Sequence, residues 1–83
     1  GQFVQTEVHS AKGRADCVVQ TADSVYIFEF KLSGNGTAED AIVQIKENTY
    51  AEKYKTDGKK IVLIGTSFSE ETRTIKDWKV DNF

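Results

Sequence analysis

The first half of the chain alternates between hydrophobic and polar positions in a way that predicts three β-strands. The segments are residues 2–9 (QFVQTEVH), 14–21 (RADCVVQT) and 24–32 (SVYIFEFKL), separated by turns at Ala11-Lys12-Gly13 and Ala22-Asp23. The third segment is hydrophobic at both sets of alternate positions, which is typical of a central strand covered on both faces. We therefore expect the second and third strands to form an antiparallel hairpin.

The second half predicts a helix followed by two more strands. Residues 33–36 (SGNG) break the pattern, and Thr37 with Asp40 forms a capping box that opens a helix running to about Lys55. Its apolar stripe is Ala38, Ala41, Ile42 and Ile45, while Val43, Tyr50 and Tyr54 lie on nearly the opposite side. Strands are predicted at residues 59–68 and at about 72–80. The order is βββαββ, an α/β domain with a mixed sheet.

A single helix covers only one face of such a sheet. Because the third strand is apolar on both faces, the other face needs a cover that these residues do not contain. We expect either self-association into a homo-oligomer or docking onto an upstream segment of a parent protein. The 83 residues form one domain, and the absence of methionine suggests a fragment of something longer.

The composition indicates a class of protein but no particular activity. With 39% hydrophobic and 29% charged residues, the chain is typical of a globular domain, and no segment is apolar enough to span a membrane. The single Cys17 excludes an internal disulfide and fits a reducing, cytoplasmic compartment; we interpret it as a small buried hydrophobe. The net charge of −2 argues against a simple basic module that binds nucleic acid, but less against an enzyme that recruits a cation.

Charged residues in the middle strands carry the candidate chemistry. Asp16 and Glu29 lie at similar distances from the turn at Ala22-Asp23, so a hairpin would bring their carboxylates together. Glu7 is near enough along the first strand to join them, and Lys31 shares the face of Glu29. Two carboxylates about 4 Å apart repel by roughly 4 kcal/mol at an effective dielectric constant near 20. One Mg²⁺ or Mn²⁺ ion would balance the cluster, because hard divalent cations prefer oxygen ligands.

The spacing Asp16-x12-Glu29-x-Lys31 resembles the signature of the PD-(D/E)XK, or restriction-endonuclease-like, nuclease superfamily. The chain would then lack only the first helix of that αβββαβ core. More narrowly, it resembles the nuclease-like C-terminal domain of bacterial AAA-ATPase-like proteins; the residues that match are Glu7, Gly13 to Asp16, Tyr26 to Lys31, Gln44 and Tyr50. In one departure from the signature, Ala15 stands at the position of the proline.

The resemblance implies a role for each matching residue. Asp16 and Glu29 would be metal ligands, assisted by the Phe30 carbonyl and by Glu7 as a possible third acid. Lys31 would position the attacking water or stabilise the phosphate, and Gln44 would lie beside the site. The implied reaction is Mg²⁺- or Mn²⁺-dependent hydrolysis of phosphodiester bonds, with DNA preferred over RNA as the substrate.

Structural explanations stay open for each of these residues. Glu29 and Lys31 could form an ion pair at a strand end, Asp16 could pair with Arg14, and Glu7 could face solvent. His9 is read as a surface or hairpin residue, Gln44 as a substrate contact or a helix-surface amide, and Trp78 as packing or a base-stacking group. Tyr50 and Tyr54 are read as packing residues. Four basic residues could be phosphate contacts or solvated charges: Lys12, Arg14, Lys59 and Lys60. The alternative to a nuclease is a catalytically silent copy of the fold that serves in binding or assembly.

Overall fold

The computed structural model describes residues 3–10, 13–32, 34–47, 51–55 and 58–83, with side chains described from residue 16 onward except that of residue 53. Five strands form one mixed sheet in the order β1-β2-β3-β4-β5, in which β3 and β4 run parallel and the other neighbours antiparallel. The elements are β1 (Phe3–Ser10), β2 (Gly13–Gln20), β3 (Ser24–Leu32), α1 (Ala38–Glu47), α2 (Glu52–Lys55), β4 (Lys60–Ser69) and β5 (Thr74–Asn82). The predicted α/β class and strand sequence are confirmed.

The hairpin of β2 and β3 turns where the sequence predicts. The Thr21 N–H donates to the Ser24 carbonyl at 2.9 Å, and the Ser24 N–H donates to the Thr21 hydroxyl at 3.0 Å. Val18 pairs with Ile27 and Cys17 with Phe28, so the register is fixed up to the residues that precede Glu29. Both Val18 and Ile27 are fully buried beneath the helices, which makes this the core face of the sheet.

The capping box begins α1 as predicted. The Asp40 N–H donates to the Thr37 hydroxyl at 3.1 Å, and the Thr37 N–H donates to the Asp40 carboxylate at 2.9 Å. The predicted apolar stripe is the buried one: Ala38, Ala41, Ile42 and Ile45 lie against the sheet, while Val43 is exposed.

The prediction of one helix continuing to Lys55 is wrong. The helix α1 ends at Glu47, and the separate short helix α2 begins at Glu52. Ala51 and Tyr54 are both buried in the core cluster. On a continuous helix Tyr54 would lie opposite the apolar stripe, so the interruption lets it turn back onto the core. Burial of a large aromatic ring stabilises this arrangement. Tyr50 falls outside the described residues.

The second face of the sheet carries exposed apolar side chains, as the pattern of β3 predicts. We call this surface the open face; its exposed members are Phe30, Leu32, Ile75, Trp78 and Val80. Trp78 and Val80 pair with Thr66 and Ile64 of β4, which alternate with the buried core residues of that strand. Trp78 is 65% exposed, so its predicted role as a packing residue is not realised within the described residues. None of the helices formed by the described residues is long and apolar enough to cross a membrane.

Candidate functional site

The candidate site lies at the end of the β2–β3 hairpin remote from its turn. Beyond the pairs Val18–Ile27 and Cys17–Phe28, Asp16 and Glu29 are the next positions on the two strands, and strand alternation directs both to the core face. The Asp16 carboxylate accepts a hydrogen bond from the Phe30 N–H at 2.9 Å. This bond fixes the Asp16 carboxylate against the backbone of Phe30, the residue that follows Glu29.

Glu29 is buried, with only 2% of its surface exposed. Its Oε2 atom accepts a hydrogen bond from Nε2 of Gln44 at 2.7 Å. A carboxylate removed from water costs several kcal/mol unless polar groups compensate for its lost hydration. The Gln44 amide is one such group, so Gln44 is part of the site rather than a helix-surface amide.

Gln44 holds Lys31 at the same time. The Lys31 ammonium group donates a hydrogen bond to Oε1 of Gln44, the other end of the carboxamide. Only one orientation of an amide can donate to a carboxylate and accept from an ammonium group together, so the two bonds fix the orientation of Gln44. Glu29, Lys31 and Gln44 therefore form one connected group, joined through a side chain of α1.

A glycine in β4 lets α1 come this close. Gly65 is the strand partner of Glu29, and a Cβ atom built there would lie 2.2 Å from the Ala38 carbonyl oxygen and 3.1 Å from the Ala41 Cβ. Any side chain at this position would push the helix off the sheet. The absence of a side chain beside Glu29 is thus what allows Gln44 to reach the two charged residues. The sequence offers a signal for this, since a glycine inside a strand often marks close backbone approach.

A second contact holds the loop before α1. Ser67, which is buried and pairs with Lys31 across the parallel strands, donates a hydrogen bond to the Gly36 carbonyl at 3.3 Å. Ser67 carries no functional prediction from the sequence. Its small polar side chain gives no signal of its role, because the contact depends on how far the loop folds back over β4.

Some predicted site residues lie outside the described side chains. The side chains of Glu7, His9 and Arg14 lie outside those that the structure describes, although the pairs Thr6–Cys17 and Val8–Ala15 bracket Glu7 and Asp16 in the β1–β2 register. Lys12 lies outside the described residues altogether. Among the described side chains, no group of three or more His, Cys, Asp or Glu residues is close enough to hold a metal ion. The ligand roles of Glu7 and of the Phe30 carbonyl stay predictions.

Two predicted basic residues lie elsewhere. The Lys59 ammonium group donates to the Gln20 side chain at 3.3 Å and to the Thr21 carbonyl at 3.2 Å, near the turn of the hairpin. Lys60 begins β4 beside Asp23, whose carbonyl accepts from its N–H. Both residues are therefore at the opposite end of β3 from Lys31, which leaves them no direct part in the site.

Cys17 is half-buried rather than buried, because strand alternation places it on the face opposite the buried Val18. Burial raises the pKa of its thiol, and the neighbouring Asp16 carboxylate raises it further because it disfavours a second negative charge. The thiol therefore stays protonated at neutral pH, and the thiolate is the reactive form.

Asp40 carries a charge that stabilises the start of α1. The Thr37 N–H, helped by the Thr37 hydroxyl and by the Lys31 charge, holds the pKa of Asp40 below its ordinary value. Because the pKa is lower in the folded protein than in the unfolded chain, the stabilisation is complete above the unfolded value of about 3.9 and is lost as the pH falls through the folded value.

This shift gives a pH-dependent prediction for Asp40→Asn. The variant should have a lower free energy of unfolding than the original chain at pH 7, and the difference should shrink below about pH 4. Urea unfolding followed by circular dichroism at pH 7, 4 and 2.5 measures it. The control is Glu47→Gln at the other end of α1, where removing a negative charge should be neutral or slightly stabilising. A difference for Asp40→Asn that is independent of pH would contradict the electrostatic explanation.

Comparisons with known proteins give one family and one curated relative. A family model described as PD-(D/E)XK nuclease superfamily matches residues 1–78. An uncharacterized protein in the vnfD 5′ region of Azotobacter chroococcum mcd 1 is 35% identical over 82 residues, which is 99% of this chain and 16% of that relative. The chain thus spans a small part of the length of the protein it matches. Comparison with solved structures gave no significant match.

Proposed function

Because this chain belongs to the PD-(D/E)XK nuclease superfamily, we propose that it is a metal-dependent nuclease domain that hydrolyses phosphodiester bonds of DNA. The observation that carries the proposal is the Gln44 carboxamide, which binds the Glu29 carboxylate and the Lys31 ammonium group together. These two hydrogen bonds keep an acid and an amine in fixed positions near a second acid, Asp16, whose carboxylate accepts a hydrogen bond from the Phe30 N–H.

The described residues fit a hard divalent cation by charge and by donor type. The carboxylates of Asp16 and Glu29 supply oxygen ligands with two negative charges, which one Mg²⁺ or Mn²⁺ balances. Two protein ligands suffice for Mg²⁺, which keeps several waters or takes substrate phosphate oxygens instead. When bound, such an ion supplies Lewis acidity toward the phosphate and makes water a better nucleophile. Glu7 would add a third carboxylate from β1.

The protein's own residues then orient the reacting groups. The Phe30 N–H holds the Asp16 carboxylate, and the Gln44 Nε2 atom holds Glu29, so neither acid has to be ordered when substrate binds. Lys31 keeps its ammonium group at the site through Gln44, where it stabilises the negative charge that grows on the phosphate oxygens in the transition state. Gln44 is in this scheme a positioning residue.

The proposed setting is a module of a larger bacterial protein in the cytoplasm, with an AAA-ATPase-like region in the same polypeptide. The small share of the Azotobacter relative that the chain covers supports a domain within a longer protein. The chain's net charge of −2 does not itself favour DNA binding, so the cation and other parts of the parent would supply the positive charge.

Cleavage assays test the proposal directly. The 83-residue chain is incubated with plasmid DNA, single-stranded DNA and RNA, each with Mg²⁺ or Mn²⁺. We expect cleavage of DNA that a chelator abolishes and that Asp16→Asn reduces below detection, because the variant loses a charged metal ligand. The matched control is Glu39→Gln, which removes an exposed acid of α1 that pairs with Lys79. Equal cleavage by the original chain and Asp16→Asn would refute the proposal, and cleavage of RNA alone would refute the DNA preference.

A second candidate function is a catalytically silent copy of the fold that serves in binding or assembly. The finding that favours it is that the described side chains include only two acids at the site, with no larger group of potential metal ligands. On this hypothesis the chain would bind no divalent cation and cleave none of the three substrates. Mn²⁺ titration by calorimetry separates the two functions, because only the nuclease requires binding.

A further inference from the structure

The loop at residues 34–37 folds back over β4, and hydrogen bonds hold it at three places. The Asn35 N–H donates to the Leu32 carbonyl at 2.7 Å, so the chain reverses as soon as β3 ends. The capping box joins the loop to α1. The Ser67 hydroxyl donates to the Gly36 carbonyl at 3.3 Å, and of these contacts it is the one that joins the loop to β4.

Gly36 brings the backbone of this loop against the side chain of Lys31. A Cβ atom built at Gly36 would lie 3.6 Å from Cδ of Lys31 and 3.2 Å from the Asp40 carboxylate. The φ angle of Gly36 is +155°, a conformation that residues with a side chain rarely adopt. The glycine therefore permits both the course of the loop and its close approach to the lysine stem.

Lys31 has a long side chain that one hydrogen bond at its end leaves free to adopt several conformations. The ammonium group donates to Oε1 of Gln44, but four flexible methylene groups precede that nitrogen. A second restraint near Cδ selects among the conformations. Ser67 is the strand partner of Lys31 and is only 3% exposed, so the loop that supplies this restraint is anchored on a buried part of the sheet.

We propose that Ser67 is a positioning residue for phosphodiester hydrolysis: by holding Gly36, it keeps the loop against Lys31 and fixes the ammonium group beside the reacting phosphate. The inference rests on the proposed nuclease function and adds a residue to it. An ammonium group that samples other positions stabilises the transition state less, so turnover slows. Cation affinity should change little, because the two acids are held by other groups, the Phe30 N–H and the Gln44 amide.

Steady-state cleavage of DNA by the 83-residue chain tests the catalytic consequence. Ser67→Ala removes the hydroxyl at nearly constant volume. It should lower kcat by roughly tenfold to a hundredfold and leave KM for DNA and Mn²⁺ affinity within about twofold of the original chain. The matched control is Ser69→Ala, two positions further along β4, whose hydroxyl accepts a hydrogen bond from the Thr72 N–H. This control should cleave at the original rate.

Gly36→Ala disturbs the same contact from its other side. The added methyl group would lie 3.2 Å from the Asp40 carboxylate and would require an unfavourable φ angle, so the loop should move and kcat should fall. If both changes act through one contact, the double variant should lose little more than the more impaired single variant. Fully additive losses would refute the proposal. Circular dichroism checks that each variant folds.

NMR relaxation of the Lys31 Cε methylene group, assigned by comparison with Lys31→Met, tests the positioning without any substrate. We expect this group to be ordered in the original chain and in Ser69→Ala, and mobile in Ser67→Ala. An ordered Lys31 in Ser67→Ala, or an unchanged kcat, would refute the role of Ser67. Weakened Mn²⁺ binding in that variant would refute it too, because Ser67 would then act on the acids.

Failure of the proposed function gives a different result. An original chain that cleaves no DNA would refute that function and the catalytic role of Ser67 with it. In the same chain, loss of order at Lys31 on the change Ser67→Ala would still show that the loop restrains the lysine.

Discussion

Replacing Lys31 by methionine should reduce phosphodiester cleavage by about 10³-fold while leaving binding of the divalent cation intact. Methionine keeps the length and much of the apolar volume of the lysine side chain but removes the ammonium group that Gln44 holds. The transition state would lose a preorganised positive charge, whereas the carboxylates of Asp16 and Glu29 would stay in place. Rates of plasmid nicking and Mn²⁺ affinity by calorimetry measure the two effects separately.

The control for this variant is Lys79→Met, which removes an exposed lysine that pairs with Glu39 on the α1 side of β5. It should cleave at the rate of the original chain. Unchanged cleavage in Lys31→Met would show that the ammonium group has no part in the reaction. Loss of Mn²⁺ binding in the same variant would show instead that Lys31 organises the acids, which contradicts the assigned role.

Gly65→Ala should lower the free energy of unfolding by about 3 kcal/mol or more. The added methyl group would meet the Ala38 carbonyl oxygen at 2.2 Å, and that oxygen is part of the backbone and cannot rotate away. The helix α1 must therefore shift outward, which also breaks its packing at Ile42 and draws Gln44 away from Glu29. A domain of this size has a total stability of roughly 4–12 kcal/mol, so the loss is a large fraction.

Urea unfolding compares this variant with Gly34→Ala, where no heavy atom lies within 4 Å of the added group. Gly34→Ala should be neutral or stabilising by up to about 1 kcal/mol, because it restricts the unfolded chain. Equal stability of the two variants would show that α1 can move aside freely. In that case the close approach at Gly65 would not be what positions Gln44.

The hairpin was predictable because its signals are local. Alternation in residues 14–32 and the turn at Ala22-Asp23 predict the register, and that register makes Asp16 and Glu29 the next positions after the pair Cys17–Phe28, on the same face of the sheet. The start of α1 was also predictable, because Thr37 and Asp40 form a capping box. These features depend on neighbours in sequence, so no knowledge of the tertiary structure was needed.

The structural features that the sequence did not predict depend on contacts between segments that are distant in the chain. The separation of α2 from α1 accompanies burial of Tyr54 in a core that β2, β3 and β4 build together, whereas helix periodicity alone favours one continuous helix. The double hydrogen bond of Gln44 depends on how deeply α1 sits against Gly65. The resemblance to a family placed Gln44 near the site, but its two partners became visible only with the packing of helix on sheet.

The described part of the candidate site comes from one continuous stretch, Asp16 to Gln44, while β4 and β5 serve mainly as its frame. The exposed turn at residues 70–73 joins those two strands, far along the chain from any residue of that stretch. Such a loop accommodates inserted sequence at little cost, because no buried backbone depends on it. A targeting module inserted at this turn would therefore direct the domain to a new location without altering the candidate site.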